Sequence, residues 1–294
     1  GRAIWTRPLP GTALHLPRRQ TQIVDVTGDG RADALVTVPL QTTPDAAQDG
    51  VLYAIDGSGA PLWEREIDTR LTFGAGEFDA PWQPDDLLAF QNGGEPFVAW
   101  AVHHHTWWPS LLAVYDARGT RIGAYVQSGW IRMTRATADG RHLITGGFSN
   151  SRAGAAFAVL DARRPDGASP EMPGSSFECR NCPPGRPLRY VVIEWSDVAS
   201  ALPPDERDVA ISNFTSAGGI ELRAIQRRNV EAIVELSPSF EIVRSAVSDA
   251  FWDAHERLRQ TGAIDHGRDA CRFRDGPVVH DWSPQHGWRT IGAR

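Results

Sequence analysis

The chain has 294 residues, 41% of them apolar, which is enough for a substantial hydrophobic core. The net charge of -6 is accompanied by no long run of either sign, so the sequence lacks the basic surface of a nucleic-acid-binding protein. All 30 basic residues are arginine, which excludes Schiff-base chemistry, lysine general bases and a phosphate-loop lysine.

No apolar run in the sequence approaches the roughly 20 residues that a membrane-spanning helix needs. Residues 1–5 do not combine a charged start with an apolar stretch, so they lack the pattern of a signal peptide. We therefore expect no membrane insertion by this chain and no nucleic-acid partner.

Short alternating apolar segments, separated by Gly, Pro, Asp and Asn clusters, recur along the whole chain and predict strands rather than helices. They lie at residues 23–26, 34–38, 51–55, 111–115, 157–160, 191–194, 209–212 and 220–225. The predicted fold class is all-β.

A longer pattern, which spans two strands and the turn between them, also repeats along the chain. A strand ends in Asp, turns through Gly and continues into a second strand at residues 52–63, 112–123 and 157–167. Asp and Gly are turn formers between antiparallel strands, so each copy predicts a hairpin. A spacing of about 45 to 60 residues is typical of a four-stranded propeller blade with loop insertions.

At these residues the chain resembles known repeat families. The hairpin 52–63 is similar to the repeat of quinoprotein-like (PQQ-like) propellers, and residues 25–33 resemble the FG-GAP/VCBS propeller repeat. The resemblance, clearest over 20–67, implies a single β-propeller domain over 1–294 with about five four-stranded blades, six being the alternative. Residues 1–10 would then supply a strand that closes the ring.

One helix interrupts the predicted strands, over residues 247–262. Ser248 is placed to cap its N-terminus, and Gly262 stands where a C-terminal stop belongs. Residues 263–294 would follow as a C-terminal extension. The buried face of the helix is predicted from the spacing i, i+4 and i+7: Phe251, His255 and Leu258.

A loop early in the chain carries side-chain oxygens at positions 1, 3, 5 and 9: Asp25, Thr27, Asp29 and Asp33. Glycines between them let the loop curl, and hard oxygen donors suit Ca²⁺ better than a transition metal. The FG-GAP resemblance implies the carbonyl of Arg31 as a further ligand. Thr27 stands where Asp or Asn is usual, which weakens the expected binding. We predict a structural calcium site, the alternative being a metal-free Asp/Gly turn.

The most unusual cluster of side chains lies near the middle of the chain: His103, His104, His105, Trp107 and Trp108. In an alternating strand His103 and His105 share one face, so three histidines cannot converge on one metal without a bulge. The functional interpretation places the cluster at the mouth of a propeller channel, binding a ligand or metal, with Trp107, Trp108 or Trp130 as contact residues. The alternative is a structural loop.

Three cysteines leave three interpretations open: Cys179, Cys182 and Cys271. A disulfide within the first two, or from one of them to the third, would indicate an oxidising compartment. A zinc site of all three with His266 or His280 would be chemically sound, since zinc takes thiolates and imidazole. Reduced, structurally neutral thiols are the third interpretation.

No linear catalytic motif is present, and the paired acids Asp85 and Asp86 are interpreted as part of a solvated, Pro-rich loop. The leading hypothesis is a non-enzymatic binding propeller for a protein, small molecule or glycan. It would be a sensor or interaction domain of a larger bacterial protein. That protein would be periplasmic or extracellular, and its full-length form could be tethered to a membrane. The alternative is a propeller enzyme, either a quinone-cofactor oxidoreductase or a metal-dependent hydrolase or lyase, that uses the histidines.

Overall fold

The computed structural model describes residues 5–8, 12–13, 21–41, 49–213 and 218–292. The chain separates into two compact units. The first unit comprises Gly1–Leu143 and Leu160–Arg186, and the second comprises Ile144–Val159 and Pro187–Arg294.

The first sheet of the first unit is an antiparallel sheet whose strands β3, β4 and β5 are neighbours in chain order, with β1 and β2 both paired to β3. Its strands are β1 (Thr12–Ala13), β2 (Thr21–Val24), β3 (Asp33–Gln41), β4 (Asp49–Ile55) and β5 (Pro61–Glu66). A small hairpin follows, formed by β6 (Leu71–Phe73) and β7 (Gly76–Phe78).

The second sheet of this unit has the order β15-β11-β10-β9-β8 and is antiparallel except for the β11–β15 pair. Its strands are β8 (Trp82–Asn92), β9 (Glu95–His104), β10 (Ser110–Asp116), β11 (Arg121–Gln127) and β15 (Gly167–Ala168). Strand β12 (Gly129–Ala136) packs against β8 and β9.

The second unit contains two further sheets. One includes β13 (His142–Ser149), β14 (Gly154–Asp161), β16 (Arg189–Glu194), β21 (Val279–Ser283) and β22 (Gly287–Ile291), neighbours in that order. The other is the four-stranded meander β17 (Asp208–Asn213), β18 (Ile220–Arg227), β19 (Val230–Leu236) and β20 (Ile242–Val247). Two α-helices, α1 (Asp197–Ser200) and α2 (Asp249–Gln260), and the 3-10 turns Pro204–Glu206 and Arg268–Ala270 complete the described elements.

The all-β class is confirmed, and antiparallel strands adjacent in the chain form sheets of the type that propeller blades use. The core is built on the central strands of the second sheet. Residues 98–102 of β9 are all fully buried, so both faces of this strand are covered. No helix among the described residues is long and apolar enough to span a membrane.

The repeated hairpin turns have the same hydrogen bonds in their first two copies. The Oδ1 atom of Asp56 accepts from the backbone N–H groups of Ser58 (2.7 Å) and Ala60 (2.9 Å). Asp116 Oδ1 accepts in the same way from Arg118 (2.9 Å) and Thr120 (2.8 Å). The Asp that recurs in the sequence pattern is therefore a turn residue in these two copies, as predicted.

In these first two copies, the glycine of the turn lies under a tryptophan from an earlier segment. A Cβ atom on Gly119 would lie 2.7 Å from the ring of Trp63, whose Nε1 donates to the carbonyl of Ala117 (3.0 Å). A Cβ atom on Gly59 would lie 2.8 Å from the ring of Trp5. The two tryptophans dock on successive hairpins in the same manner, and this is the physical basis of the sequence repeat.

Several predicted boundaries change. Residues 5–8 lie in no strand, so the predicted ring-closing strand over 1–10 does not form across them, and residues 1–4 and 9–10 lie outside the described residues. Residues 279–291 of the predicted C-terminal extension form β21 and β22, because β21 pairs with β16. The single-domain interpretation and the number of blades remain predictions.

The predicted helix is present as α2, with Phe251 and His255 buried on one face. Ser248 occupies the N-cap position but its side chain does not cap the helix. Its Oγ atom instead donates to the carbonyl of Asn229 (3.0 Å) and accepts from the N–H of Glu231 (3.1 Å). The serine therefore ties the start of the helix to the neighbouring sheet.

Candidate functional site

The predicted histidine and tryptophan cluster lies at the β9–β10 connection. The two strands pair with His103 opposite Ser110, and the loop between them begins after His104. Trp107 sits at the tip with a positive φ of 76°, and its N–H donates to the carbonyl of His104 (2.8 Å). A left-handed backbone is costly for a bulky residue, so surrounding contacts must hold Trp107 in this conformation.

A buried carboxylate holds two of the rings in place. Asp85 Oδ2 lies 2.8 Å from His103 Nδ1, and Asp85 Oδ1 accepts a hydrogen bond of 2.8 Å from Trp130 Nε1. Burial raises the pKa of Asp85, although the hydrogen bonds from His103 and Trp130 oppose the shift. Because one carboxylate binds both rings, their relative orientation is fixed before any ligand arrives.

Asp85 reaches these rings because of a β-bulge. The β8–β9 register shifts between Pro84 and Asp86, so Asp85 is the extra residue and has no partner on β9. A bulge of this kind re-aims a side chain and is frequent beside functional sites. The interpretation of Asp85 and Asp86 as solvated loop residues is wrong: both lie in β8, and Asp86 is buried, accepting from the N–H of Thr134 (2.6 Å).

The aromatic rings form a stepped surface. The ring of Trp107 stacks on His103 with centroids 5.4 Å apart and planes 7° from parallel. The same indole meets Trp130 at 4.9 Å with an angle of 65°, and the guanidinium of Arg132 lies 4.3 Å over the Trp130 ring. Trp107 remains 60% exposed. We call His103, Trp107 and Trp130 the aromatic platform.

The other predicted members of the cluster do not join the platform. His104 is buried against Phe78 (5.3 Å) and Trp82 (5.7 Å), and its Nδ1 contacts Thr106 Oγ1 at 2.7 Å. Burial, with the nearby charge of His105, lowers the pKa of His104 to about 4. His104 is therefore a neutral core residue at neutral pH.

His105 and Trp108 also depart from the predicted arrangement. His105 lies outside β9, exposed, with its ring 4.1 Å from that of His104, so it does not share a face with His103. Trp108 is half-buried and packs against Phe78 at 4.8 Å and Phe73 at 5.6 Å. Of the five predicted residues, only His103 and Trp107 come together, with Trp130.

The predicted calcium loop folds around two carboxylates that bind backbone groups. Asp25 accepts from the N–H groups of Gly28 (2.6 Å), Asp29 (3.2 Å) and Gly30 (2.8 Å), and the bond from Gly30 is the largest cause of its lowered pKa. Asp33 is buried and accepts from the N–H of Thr27 (3.1 Å). These bonds brace the turn, and Asp29 and Arg31 are exposed on it. Calcium binding remains a prediction.

The cysteines divide into a disulfide and a free thiol. Cys179 and Cys182 are joined, which is one of the three interpretations of the sequence, and Cys271 is free and buried. A zinc site of all three cysteines would need thiols at 179 and 182, so this structure does not assemble that set. His280 binds Glu194 (2.7 Å) and Thr290 (3.1 Å) instead of a cysteine.

No protein-family model matches the chain, and no curated protein sequence matches it significantly. Among solved structures, the chain is similar to dihydro-heme d1 dehydrogenase NirN in complex with DHE, at 14% identity and a TM-score of 0.42, covering 78% of this chain and 37% of that one. It is also similar to the Dos1 propeller, at 11% identity and a TM-score of 0.38, covering 73% and 47%.

A third similar structure is the GH43_1 enzyme from Xanthomonas citri, at 11% identity and a TM-score of 0.35, covering 78% of this chain and 72% of the enzyme. The chain spans less than half the length of the first two structures. The FG-GAP/VCBS and quinoprotein-like repeat assignments therefore remain predictions made from the sequence.

Proposed function

We propose that this protein is a non-enzymatic binding module whose aromatic platform stacks a ring of a glycan or a planar small molecule. The observation that carries the proposal is Trp107. It is a largely exposed indole in a left-handed backbone, stacked on a histidine that a buried carboxylate fixes. Strained residues persist where the surroundings determine them, and they cluster at ligand sites.

The rigidity of the platform supports binding in a second way. A ligand that docks on Trp107 need not order His103 or Trp130, because Asp85 already holds both rings. Preorganised aromatic side chains supply contact area at a low entropic cost, which is why tryptophan is frequent among the residues that dominate binding energy. The exposed position of Trp107 gives the ligand access from solvent.

The proposed location is extracytoplasmic, in the periplasm or outside the cell, as a sensor or interaction domain of a larger bacterial protein. The Cys179–Cys182 disulfide supports this location, because disulfides persist in oxidising compartments. The Asp25–Asp33 loop, with Thr27, Asp29 and the Arg31 carbonyl, is proposed to bind Ca²⁺ in a structural role. No step of ligand binding depends on that ion.

The test is a panel of neutral oligosaccharides and planar heterocycles, with binding measured by calorimetry. We expect Trp107→Ala to weaken binding of any ligand found by at least about tenfold, since a central indole contributes more than about 1.4 kcal/mol. Met172→Ala is the control, because Met172 has the same 60% exposure and lies outside the platform. Equal affinity of W107A and the parent protein would refute the site.

A second candidate function is catalysis by His103 as a general base. The favouring observation is the buried Asp85–His103 pair, with His103 Nε2 making no hydrogen bond to the described residues. A carboxylate that holds Nδ1 would leave Nε2 to accept a proton, but Nε2 is buried, so a substrate would reach it only after neighbouring side chains move. In this case a ligand from the panel is converted to product, and Asp85→Asn abolishes turnover while W107A still weakens binding. Intact ligand after prolonged incubation rules this candidate out.

A further inference from the structure

Four metal-ligating side chains converge in the second unit, and they include Cys271 and His266 of the zinc set considered from the sequence but neither Cys179 nor Cys182. They come from the first residue of α1, the middle of α2, the loop after α2 and the residue that follows the 3-10 turn: Asp197, His255, His266 and Cys271. One ligand atom of each lies within 4.8 Å of those of all the others. Among the described residues, this is the only group of three or more His, Cys, Asp or Glu donors that meets this distance.

The separations of these atoms fit one small ion at their centre. Asp197 Oδ2 lies 2.8 Å from His266 Nε2, 3.4 Å from His255 Nε2 and 3.8 Å from Cys271 Sγ. In a tetrahedral zinc site the bond lengths require neighbouring ligand atoms to be about 3.3 to 3.8 Å apart. The observed cluster needs only small side-chain adjustments to reach that geometry.

The buried nitrogens of the cluster are without hydrogen bonds. His255 is only 2% exposed, and neither its Nε2 nor that of His266 makes a hydrogen bond to the described residues. Each nitrogen lies close to the Asp197 carboxylate but outside hydrogen-bond geometry. A buried polar atom without a partner is costly, whereas coordination to a cation would satisfy both nitrogens at once.

Contacts behind the cluster orient two of the ligands toward its centre. Asp265 Oδ1 lies 3.1 Å from His266 Nδ1, the carboxylate–histidine arrangement that directs the other ring nitrogen to a metal. Asp197 Oδ1 accepts from the N–H of Val198 (2.7 Å), which leaves Oδ2 to face the histidines and Cys271. The outer contacts of a metal site are therefore already in place.

We propose that Asp197, His255, His266 and Cys271 bind one Zn²⁺ in a closed tetrahedral site. Two imidazoles, one thiolate and one carboxylate form a donor set that zinc accepts and that calcium and magnesium do not. With four protein ligands, the ion has no open position for a substrate and its role is structural. It holds α1, α2 and the 3-10 turn together, and it is independent of the aromatic platform.

The test uses the full chain, stripped with a chelator and titrated with Zn²⁺ and, separately, with Co²⁺. We expect one zinc ion per chain by element analysis and a rise in melting temperature on adding zinc, because the ion binds the folded state. Cobalt should give the intense visible bands of a tetrahedral site together with a thiolate-to-cobalt charge-transfer band. Cys271→Ser should remove the charge-transfer band.

His266→Asn is the second variant, expected to weaken zinc binding at least about 100-fold, since even outer-shell changes cost 10- to 100-fold. His286→Asn is its matched control. The His286 side chain is 27% exposed, against 29% for His266, and it also lies near a carboxylate, 3.6 Å from Asp281 Oδ2. The control should bind zinc as the parent protein does.

Three results would overturn the proposal. The first is a chain that binds no stoichiometric zinc after stripping and titration. The second is a cobalt spectrum without a thiolate band, or with an unchanged band in C271S, which would place the metal elsewhere. Unchanged zinc affinity in H266N would equally remove His266 from the site.

Discussion

At the scale of single residues, the site depends on groups whose environment differs from what the sequence indicates. Asp85 follows a proline and precedes another acid, which is typical of a solvated loop, yet a bulge turns it into the interior. No sequence pattern predicts a bulge at that point. The sequence places His103 and Trp107 in one cluster, but their contact depends on the turn at Trp107, and their connection to Trp130 depends on the packing of β12 on β8 and β9.

The strain at Trp107 can be measured by comparing two variants that both lack the indole. We expect Trp107→Gly to be more stable than Trp107→Ala by about 1 kcal/mol, because a φ of 76° penalises every residue with a Cβ atom. Urea denaturation of the two variants gives this difference. At Thr106, which has no positive φ, the order should reverse, with T106A the more stable. If W107A were more stable than W107G, as T106A is expected to be relative to T106G, Trp107 would be unstrained.

His104 gives a prediction for the effect of pH. Its pKa of about 4 in the folded protein lies below 6.5 in the unfolded chain, so between these values the unfolded state binds more protons. The stability that neutral His104 contributes is therefore present above pH 6.5 and lost as the pH falls toward 4. NMR titration of the imidazole checks the value, and H104Q should show a smaller loss of stability over this window. A midpoint near 6.5 would contradict it.

At the scale of elements, the repeated hairpins explain why the sequence predicts this part of the fold well. Turn residues act locally, so Asp56 and Asp116 have the same hydrogen bonds wherever the hairpin is placed. The C-terminal strands were not predicted because they depend on a distant partner. In the sequence, residues 279–283 are a polar and aromatic segment without a clear strand pattern. They form a strand because they pair with β16, which is distant in the chain.

The docking of Trp63 on Gly119 should be sensitive to one added methyl group. Gly119→Ala should lower the free energy of unfolding by about 2 to 4 kcal/mol, because it combines a left-handed φ with a contact of 2.7 Å to the indole. Gly174→Ala is the control, since Gly174 has a φ of 77° but nothing within 4 Å of the added atom. Chemical denaturation compares them. An equal loss in both variants would show that the backbone angle alone is responsible.

At the scale of the whole molecule, the sequence predicts the all-β class but not the division into two compact units. The strand pattern is local and repeats along the chain, whereas the boundaries of the units depend on contacts between distant segments. The proposed zinc ligands show the same limit. His255, His266 and Cys271 are near one another in the sequence, but Asp197 precedes them by a whole four-stranded sheet.

The cysteine pairing predicts the thiol content of the protein in the proposed oxidising compartment. Protein that is recovered from an oxidising compartment and denatured in the presence of a chelator should have one free thiol, that of Cys271. After reduction it should have three. Because the Cys179–Cys182 loop is short, its reduction should cost only about 2 kcal/mol of stability. Thiol counting and denaturation with and without reductant measure both quantities. Three thiols before reduction would contradict the proposed location.

Trp107 and Trp130 form the proposed ligand site. The most direct measurement is the NMR spectrum of the tryptophan indole N–H groups during titration with each member of the glycan and heterocycle panel, with signals assigned from Trp107→Ala and Trp130→Phe. A bound ligand should shift the Trp107 and Trp130 signals and leave those of buried Trp82 and Trp100 in place. A ligand that binds without moving the Trp107 signal would contradict it.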